Sequence, residues 1–364
     1  MKIKEITDYL ESLAPLSSQE SYDNCGLIVG NSNTDFKKAL ISLDCIEATV
    51  DEAIEHNCNL IIAHHPIVFS GIKKLNGSSY IERTVIKAIK NDIAIYAIHT
   101  NLDNYQYGVN DEIAVRLGLK NVRILSPKKN VLTKLVCFVP HSSKDIVLDS
   151  MFSAGAGKIG NYEQCSFQTE GKGSFLPNEK ANPVEGEIGE LSIVKEFRIE
   201  VLVSDHVLPK VVEAMKQSHP YEEVAYEMYA IQNENQYEGS GMIGELETVM
   251  DTMEFLAFVK EKFKCGSIRY TKIINHSVKK VAFCGGAGSF LLNNAKKQQA
   301  DIYISGDFKY HEFFDAENDI IIADIGHFES EQFTSNRIER ILTEKFAKFA
   351  VRLTEVNTNP INYF

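Results

Sequence analysis

Asn59-Leu60-Ile61-Ile62-Ala63-His64-His65-Pro66 is the stretch on which the fold turns. A short apolar run bounded by a breaker reads as a buried strand. Its C-terminal end delivers two imidazoles into a loop, and in open α/β sheets that end of the strands is where ligands bind. Two further runs have the same form. Ile93–Ile98 ends in His99 and is followed by Thr100-Asn101-Leu102-Asp103, and Ile320–Ala323 leads through Asp324 and Ile325 to Gly326-His327-Phe328-Glu329-Ser330-Glu331.

Between these runs lie helical patterns. Ile3, Ile6, Leu10 and Leu13 recur at helical spacing and stop near Pro15; residues 49–56, 81–90 and 110–117 continue the theme. The short strand of Tyr22-Asp23-Asn24-Cys25-Gly26-Leu27-Ile28-Val29-Gly30 and a strand at 39–43 ending at Asp44 complete the first series. Alternating strands and helices predict βαβ units and a mainly parallel sheet. After Lys128 the character changes. Strands at 131–139, 165–175, 193–203 and 224–231 with helices at 144–152 and 205–217 give the order β-α-β-β-α-β of a ferredoxin-like, split βαβ arrangement. The first pattern resumes near Gly239, with a helix at 253–263, strands at 281–284, 302–305 and 320–324, and a long amphipathic helix carrying Phe333, Ile338, Ile341, Leu342, Phe346 and Phe349. The expected organisation is a two-halved α/β domain, residues 1–128 and 238–364, interrupted by an inserted domain at 129–237; insertions succeed at exposed loop tips.

The bulk numbers restrict the function classes. A hydrophobic content of 44% suits a globular core, and a net charge of −12 argues against nucleic acid or an anionic membrane as partner. The insert alone carries 10 Lys and Arg against 16 Asp and Glu. Seven scattered cysteines without a C-x-x-C pair fit reduced thiols in the cytoplasm. Met1–Asp8 lacks a signal-peptide core, and no run approaches a membrane span.

Three strand ends thus present His64 and His65, Asp103, and His327 with Glu331. The last two are four apart, on one face of a helix that Gly326 lets begin with a sharp turn. Alternatively, Glu331 serves that helix's dipole. Three imidazoles and two carboxylates exceed a closed tetrahedral zinc site and suit two metal ions bridged by a carboxylate. His99 is either an orienting or acid/base group or a buried imidazole bonded to backbone. His311, four after Asp307, either contacts a metal-bound water as a proton shuttle or is structural. Gly285-Gly286-Ala287-Gly288-Ser289 is a tight turn or, as the alternative, a phosphate cradle. His219-Pro220-Tyr221-Glu222-Glu223 lines a pocket or a subunit contact, and Cys165 is packing.

The chain resembles the Nif-three-like (NGG-one-interacting-factor-three-like) family, often named as GTP cyclohydrolase type 2 homologues. The resemblance rests on Tyr22-Asp23-Asn24-x-Gly26-Leu27, His64-His65-Pro66, His99-Thr100-Asn101-Leu102-Asp103, Ser305-Gly306-Asp307-x-x-x-His311 and Gly326-His327-x-x-x-Glu331. In the insert it rests on Gly157-x-x-Gly160-x-Tyr162-x-x-Cys165-Ser166-Phe167 and His219-Pro220-Tyr221-Glu222. It implies a dinuclear metal centre on His64, His65, Asp103, His327 and Glu331, a PII/CutA-like insert, and a toroidal homohexamer built from trimers. Tyr22, where many members have tryptophan, reads as structural. The expected function is a metal-dependent hydrolase acting on a purine nucleotide or a phosphoester through a metal-activated water. Zinc is the first expectation for the two ions, with manganese, iron or cobalt also compatible. The competing expectation is a non-catalytic regulatory or scaffold protein.

Overall fold

A computed structural model describes residues 1–364. The chain packs as two compact units, residues 1–127 with 237–364 and residues 128–236.

The first unit holds two sheets. One has the strand order Gly26–Val29, Ala94–Ala97, Leu60–Ala63, Ala39–Ser42, Val351–Leu353. Only the Gly26–Val29 edge runs antiparallel; the other pairings are parallel. Side chains alternate between the two faces. Leu60 and Ile62 pack with Ile6, Leu10, Ile338 and Leu342 of the helices Ile3–Leu13 and Thr334–Lys345. Ile61 and Ala63 pack with Val50, Ala53, Val85 and Ala88 of the helices Glu47–Glu55 and Tyr80–Lys90. Burial on both faces is why this strand reads as a continuous apolar run rather than an alternating one.

The other sheet is ordered Arg269–Tyr270, Ile321–Asp324, Ile302–Gly306, Ser277–Ala287, Asn235–Asp251, Lys120–Lys128. Its three central strands are parallel, and the Arg269–Tyr270 and Asn235–Asp251 strands beside them run antiparallel. Phe283, Ile304 and Ala323 meet Phe255 and Val259 of the helix Thr252–Lys262 on one face. That helix starts cleanly because the Asp251 carboxylate accepts from the amides of Met253 (2.8 Å) and Glu254 (3.2 Å).

Several elements differ from the sequence reading. Lys120–Lys128, Asn235–Asp251, Arg269–Tyr270 and Val351–Leu353 are strands without a foreseen counterpart. Lys120–Lys128 is rich in charge and Asn235–Asp251 mixes glycines and charges, as strands half-open to solvent do. The last helix is shorter than expected: Thr334–Lys345 follows the short helix His327–Glu331, and Phe333, Phe346 and Phe349 lie outside it. Within residues 128–236 the order is strand, helix, strand, strand, helix, strand. The four strands form one antiparallel sheet, ordered Ser166–Phe175, Ser192–Ser204, Leu132–Pro140, Tyr226–Ile231. No helix in the chain is long and apolar enough to cross a membrane.

Candidate metal centre

The parallel strands of both sheets in the first unit end at one place. Ala63 is followed by His64 and His65, Ala97 by His99 and the turn Thr100–Asp103, Gly306 by Asp307, and Asp324 by His327. Asn110 ties the two sheets there, accepting from the Gly285 amide (3.1 Å) and donating to the Asp103 carbonyl (3.1 Å).

Four imidazoles share one arrangement. His64 Nδ1 lies 2.8 Å from the Ile98 carbonyl, so Nδ1 carries the proton and donates. His65 Nδ1 faces Asp44 Oδ1 at 2.8 Å, His327 Nδ1 faces Asp307 Oδ2 at 2.7 Å, and His99 Nδ1 faces Asp23 Oδ1 at 2.9 Å. Each ring is therefore anchored at Nδ1, which leaves Nε2 for the centre. Metal-binding histidines are held in this way, because the outer partner fixes tautomer and ring orientation.

Glu331, 2% exposed, is the hub. Its Oε2 lies 3.0 Å from His65 Nε2 and 3.1 Å from His327 Nε2, and its Oε1 lies 3.9 Å from His64 Nε2. His64 Nε2 is also 3.5 Å from Asp103 Oδ1, and neither atom has a hydrogen-bond partner although both are buried. Such orphaned polar atoms are costly unless something else satisfies them. Three groups could hold a metal ion: His65, His327 and Glu331; His64, Asp103 and Glu331; and His64, His65 and His99.

The electrostatics agree with the geometry. Burial pushes the imidazolium of His65 down, but Asp44 and Glu331 outweigh it and lift the group to about 9. Glu331 and Asp307 likewise overcome burial at His327 and raise it to about 11. Burial, reinforced by Glu331, raises Asp103, whereas the surrounding imidazoles overcome burial and hold Glu331 well below the usual carboxylate range. The raised pKa values of His65 and His327 favour the imidazolium form beside Glu331.

The approach to Glu331 explains the glycine run. Gly286 has φ +62, and a Cβ there would clash with Glu331 Oε1. The amides of Gly285, Gly286 and Gly288 are already spent on Asn110, Ser330 Oγ and Ser305 Oγ. The run is therefore a tight turn that admits a carboxylate, and the phosphate-cradle alternative falls. Gly326, with φ +95, starts the His327 turn as expected.

His64, His65, Asp103, His327, Glu331 and His99 are brought together. His311 is not: its exposed ring packs against Tyr310 and Phe314, and it does not line the cavity over the cluster. Tyr22 is also corrected, because it is 68% exposed and lines that cavity. Sequence reasoning assigned no role to Asp23 or Asp44. The signal for Asp44 was available, since it follows the strand Ala39–Ser42 as His64 follows its own. Asp44 is further held by Thr358 Oγ1, which donates to its Oδ2 at 2.6 Å. The His219–Glu223 motif lies elsewhere: Tyr221, Glu222 and Glu223 line a separate cavity within residues 128–236.

The model of the Duf34/NIF3 (NGG1p interacting factor 3) family matches residues 1–360. The chain belongs to this family. A Bacillus subtilis protein is 38% identical over 99% of this chain and 98% of its own length. A Halalkalibacterium halodurans protein is 39% identical over 98% of each chain, and both are named GTP cyclohydrolase 1 type 2 homolog. The crystal structure of a Bacillus cereus protein related to NIF3 superposes with a TM-score of 0.87 at 36% identity, covering 100% of this chain and 99% of that one.

Proposed function

We propose that this chain is a dinuclear-metal hydrolase whose metals are held by His64, His65, Asp103, His327 and Glu331. The observation that carries the reading is the pair of buried, unpartnered atoms, His64 Nε2 and Asp103 Oδ1, aimed at the same carboxylate that His65 and His327 share. Glu331 faces His64 with Oε1 and His65 and His327 with Oε2, so both of its oxygens would be available to hold the ions. Imidazole and carboxylate donors suit zinc first, with manganese, iron and cobalt also compatible. Two divalent ions would bring a shared water toward a pKa near neutrality and polarise the bond under attack.

The chain's own groups do the rest. Asp44, Asp307 and the Ile98 carbonyl hold the imidazoles in register. His99, fixed through Nδ1 by Asp23, keeps Nε2 within reach of the cluster to take up and return a proton. Two relatives carry the name GTP cyclohydrolase 1 type 2 homolog, which supports hydrolytic opening of a purine ring as the reaction class.

Residues 129–237 are read as a ferredoxin-like, PII/CutA-like insert within an α/β domain of residues 1–128 and 238–364, supported by the strand order of the insert's sheet. A homohexamer built from trimers and a cytoplasmic location complete the proposal; seven unpaired cysteines support the latter. The insert's separate cavity favours one other reading, a non-catalytic regulator that binds a small molecule there. Zinc content and turnover measured together decide between them. The hydrolase reading expects metal-dependent turnover that disappears in His64→Ala and Glu331→Ala variants of unchanged native mass. A fully loaded, correctly assembled protein inert to a panel of purines and phosphoesters would sink it.

A further inference from the structure

The open cavity over the cluster, about 600 Å³, is lined by five carboxylates and by no lysine or arginine. Two divalent ions would do no more than balance those carboxylates. Polyphosphates are usually gripped by Lys and Arg or by free backbone amides at a glycine-rich turn. The first is absent from the lining. The glycine run beside Glu331 has the right look for such a turn, but its Gly285, Gly286 and Gly288 amides already donate within the protein.

What the cavity does present is aromatic surface. Tyr22, Phe69, Tyr80 and Phe290 line it with 68, 51, 55 and 66% of their surface exposed. Phe69 also stands edge-on to His99, with ring centroids 5.7 Å apart. Large rings left open to water beside a polar floor suit stacking against a flat ligand, and base–aromatic stacking needs no charge.

We infer that the ligand of this site is a planar nitrogen heteroaromatic delivered without a polyphosphate tail, a nucleobase or nucleoside rather than a nucleoside triphosphate. The inference rests on the metal-hydrolase reading for its chemistry but not for its binding. The carboxylate-rich walls repel a polyanion, the rings take the flat face, and the reacting ring carbon is left over Glu331 and its histidines.

The test titrates the full chain, both zinc-loaded and metal-free, with guanosine, adenosine, GTP and ATP by calorimetry at low and high salt. Protein-bound zinc is measured after each run, because triphosphates chelate zinc. The expected result is at least one nucleoside binding tenfold or more tighter than its triphosphate at low salt, with the gap narrowing as salt screens the repulsion. Tyr22→Ala and Phe290→Ala should each weaken nucleoside binding roughly 5- to 100-fold with zinc content unchanged. Tighter binding of the triphosphates, triphosphate affinity that falls with salt, binding of no nucleoside, or indifference to both aromatic variants would overturn the inference. Nucleoside binding by a protein that takes up no zinc would sink the metal reading while leaving this one standing.

Discussion

Two cavities of similar size, about 600 Å³ in the first unit and about 680 Å³ in the second, treat their polar groups in opposite ways. Over the histidine–carboxylate cluster every imidazole is anchored from behind, and two of the anchors are themselves anchored: Asp23 by Thr100, Asp44 by Thr358. In the second cavity Glu196 is buried without an ion-pair partner, and the Tyr221 hydroxyl lies beside it outside good hydrogen-bonding geometry. Arg198, on the same wall, is committed to Glu200. Burial of polar groups alone therefore does not distinguish a reactive site. A second layer that fixes each donor's direction does, because ligand geometry must be set before a metal or substrate arrives.

The largest effect should come from the hub. Glu331→Gln removes a charge shared by three histidines, and we expect metal affinity to fall more than ~100-fold, beyond the usual cost of losing an outer partner; zinc retained against a graded chelator series measures it. Retention at the wild-type level would break the comparison at its centre. Asp44→Asn tests the outer layer, with an expected loss of ~10–100-fold and no change in the number of ions bound. Gly286→Ala should cost about 1–2 kcal/mol from its left-handed backbone alone, read from urea unfolding of the metal-free protein, and should also lower zinc uptake because the methyl group meets Glu331.

The two smallest effects lie outside that first cavity. Glu52 accepts from the Glu355 amide (3.0 Å), Arg352 Nε (3.2 Å) and the Thr354 hydroxyl. Burial raises its pKa, but these donors outweigh it and the folded value is lowered. A depressed folded pKa contributes stability that is present above the unfolded value of roughly 4.3 and is lost as pH falls through the folded one. Glu52→Gln should therefore flatten the acid limb of stability below pH ~4, by on the order of 1 kcal/mol. Tyr221→Phe should change stability by no more than about 0.5 kcal/mol, since it deletes a hydroxyl that makes no firm hydrogen bond. A larger loss would mean that the second cavity is as tightly organised as the first.

The parallel strands and five of the cluster's residues were legible because they coincide: a doubly buried strand is a plain apolar run, and whatever follows it stands out. His311 misled because four residues after Asp307 means one face only on a regular helix, and the segment Tyr310–Ala316 is a 3-10 turn. Asp23 and Asp44 stayed hidden because an outer partner is defined by a contact across 76 or 21 residues, which spacing does not encode. The charged strand Lys120–Lys128 and the glycine-rich strand Asn235–Asp251 were missed since their faces do not alternate strictly. Tyr22 shows the remaining limit, because exposure at a cavity mouth leaves no periodic trace.

The strand Val351–Leu353 pairs in parallel with Ala39–Ser42, so the first sheet is closed by residues made long after its centre. At about 5–20 residues per second, the ribosome needs roughly 15–60 s to travel from His65 to Val351. Throughout that interval Ala39–Ser42, buried at all four positions in the finished fold, lacks one of its neighbours. An unpaired apolar edge of this kind recruits other chains. The early strands are thus exposed longest, and the candidate cluster is completed only at the end of synthesis, because His327 and Glu331 are also late arrivals.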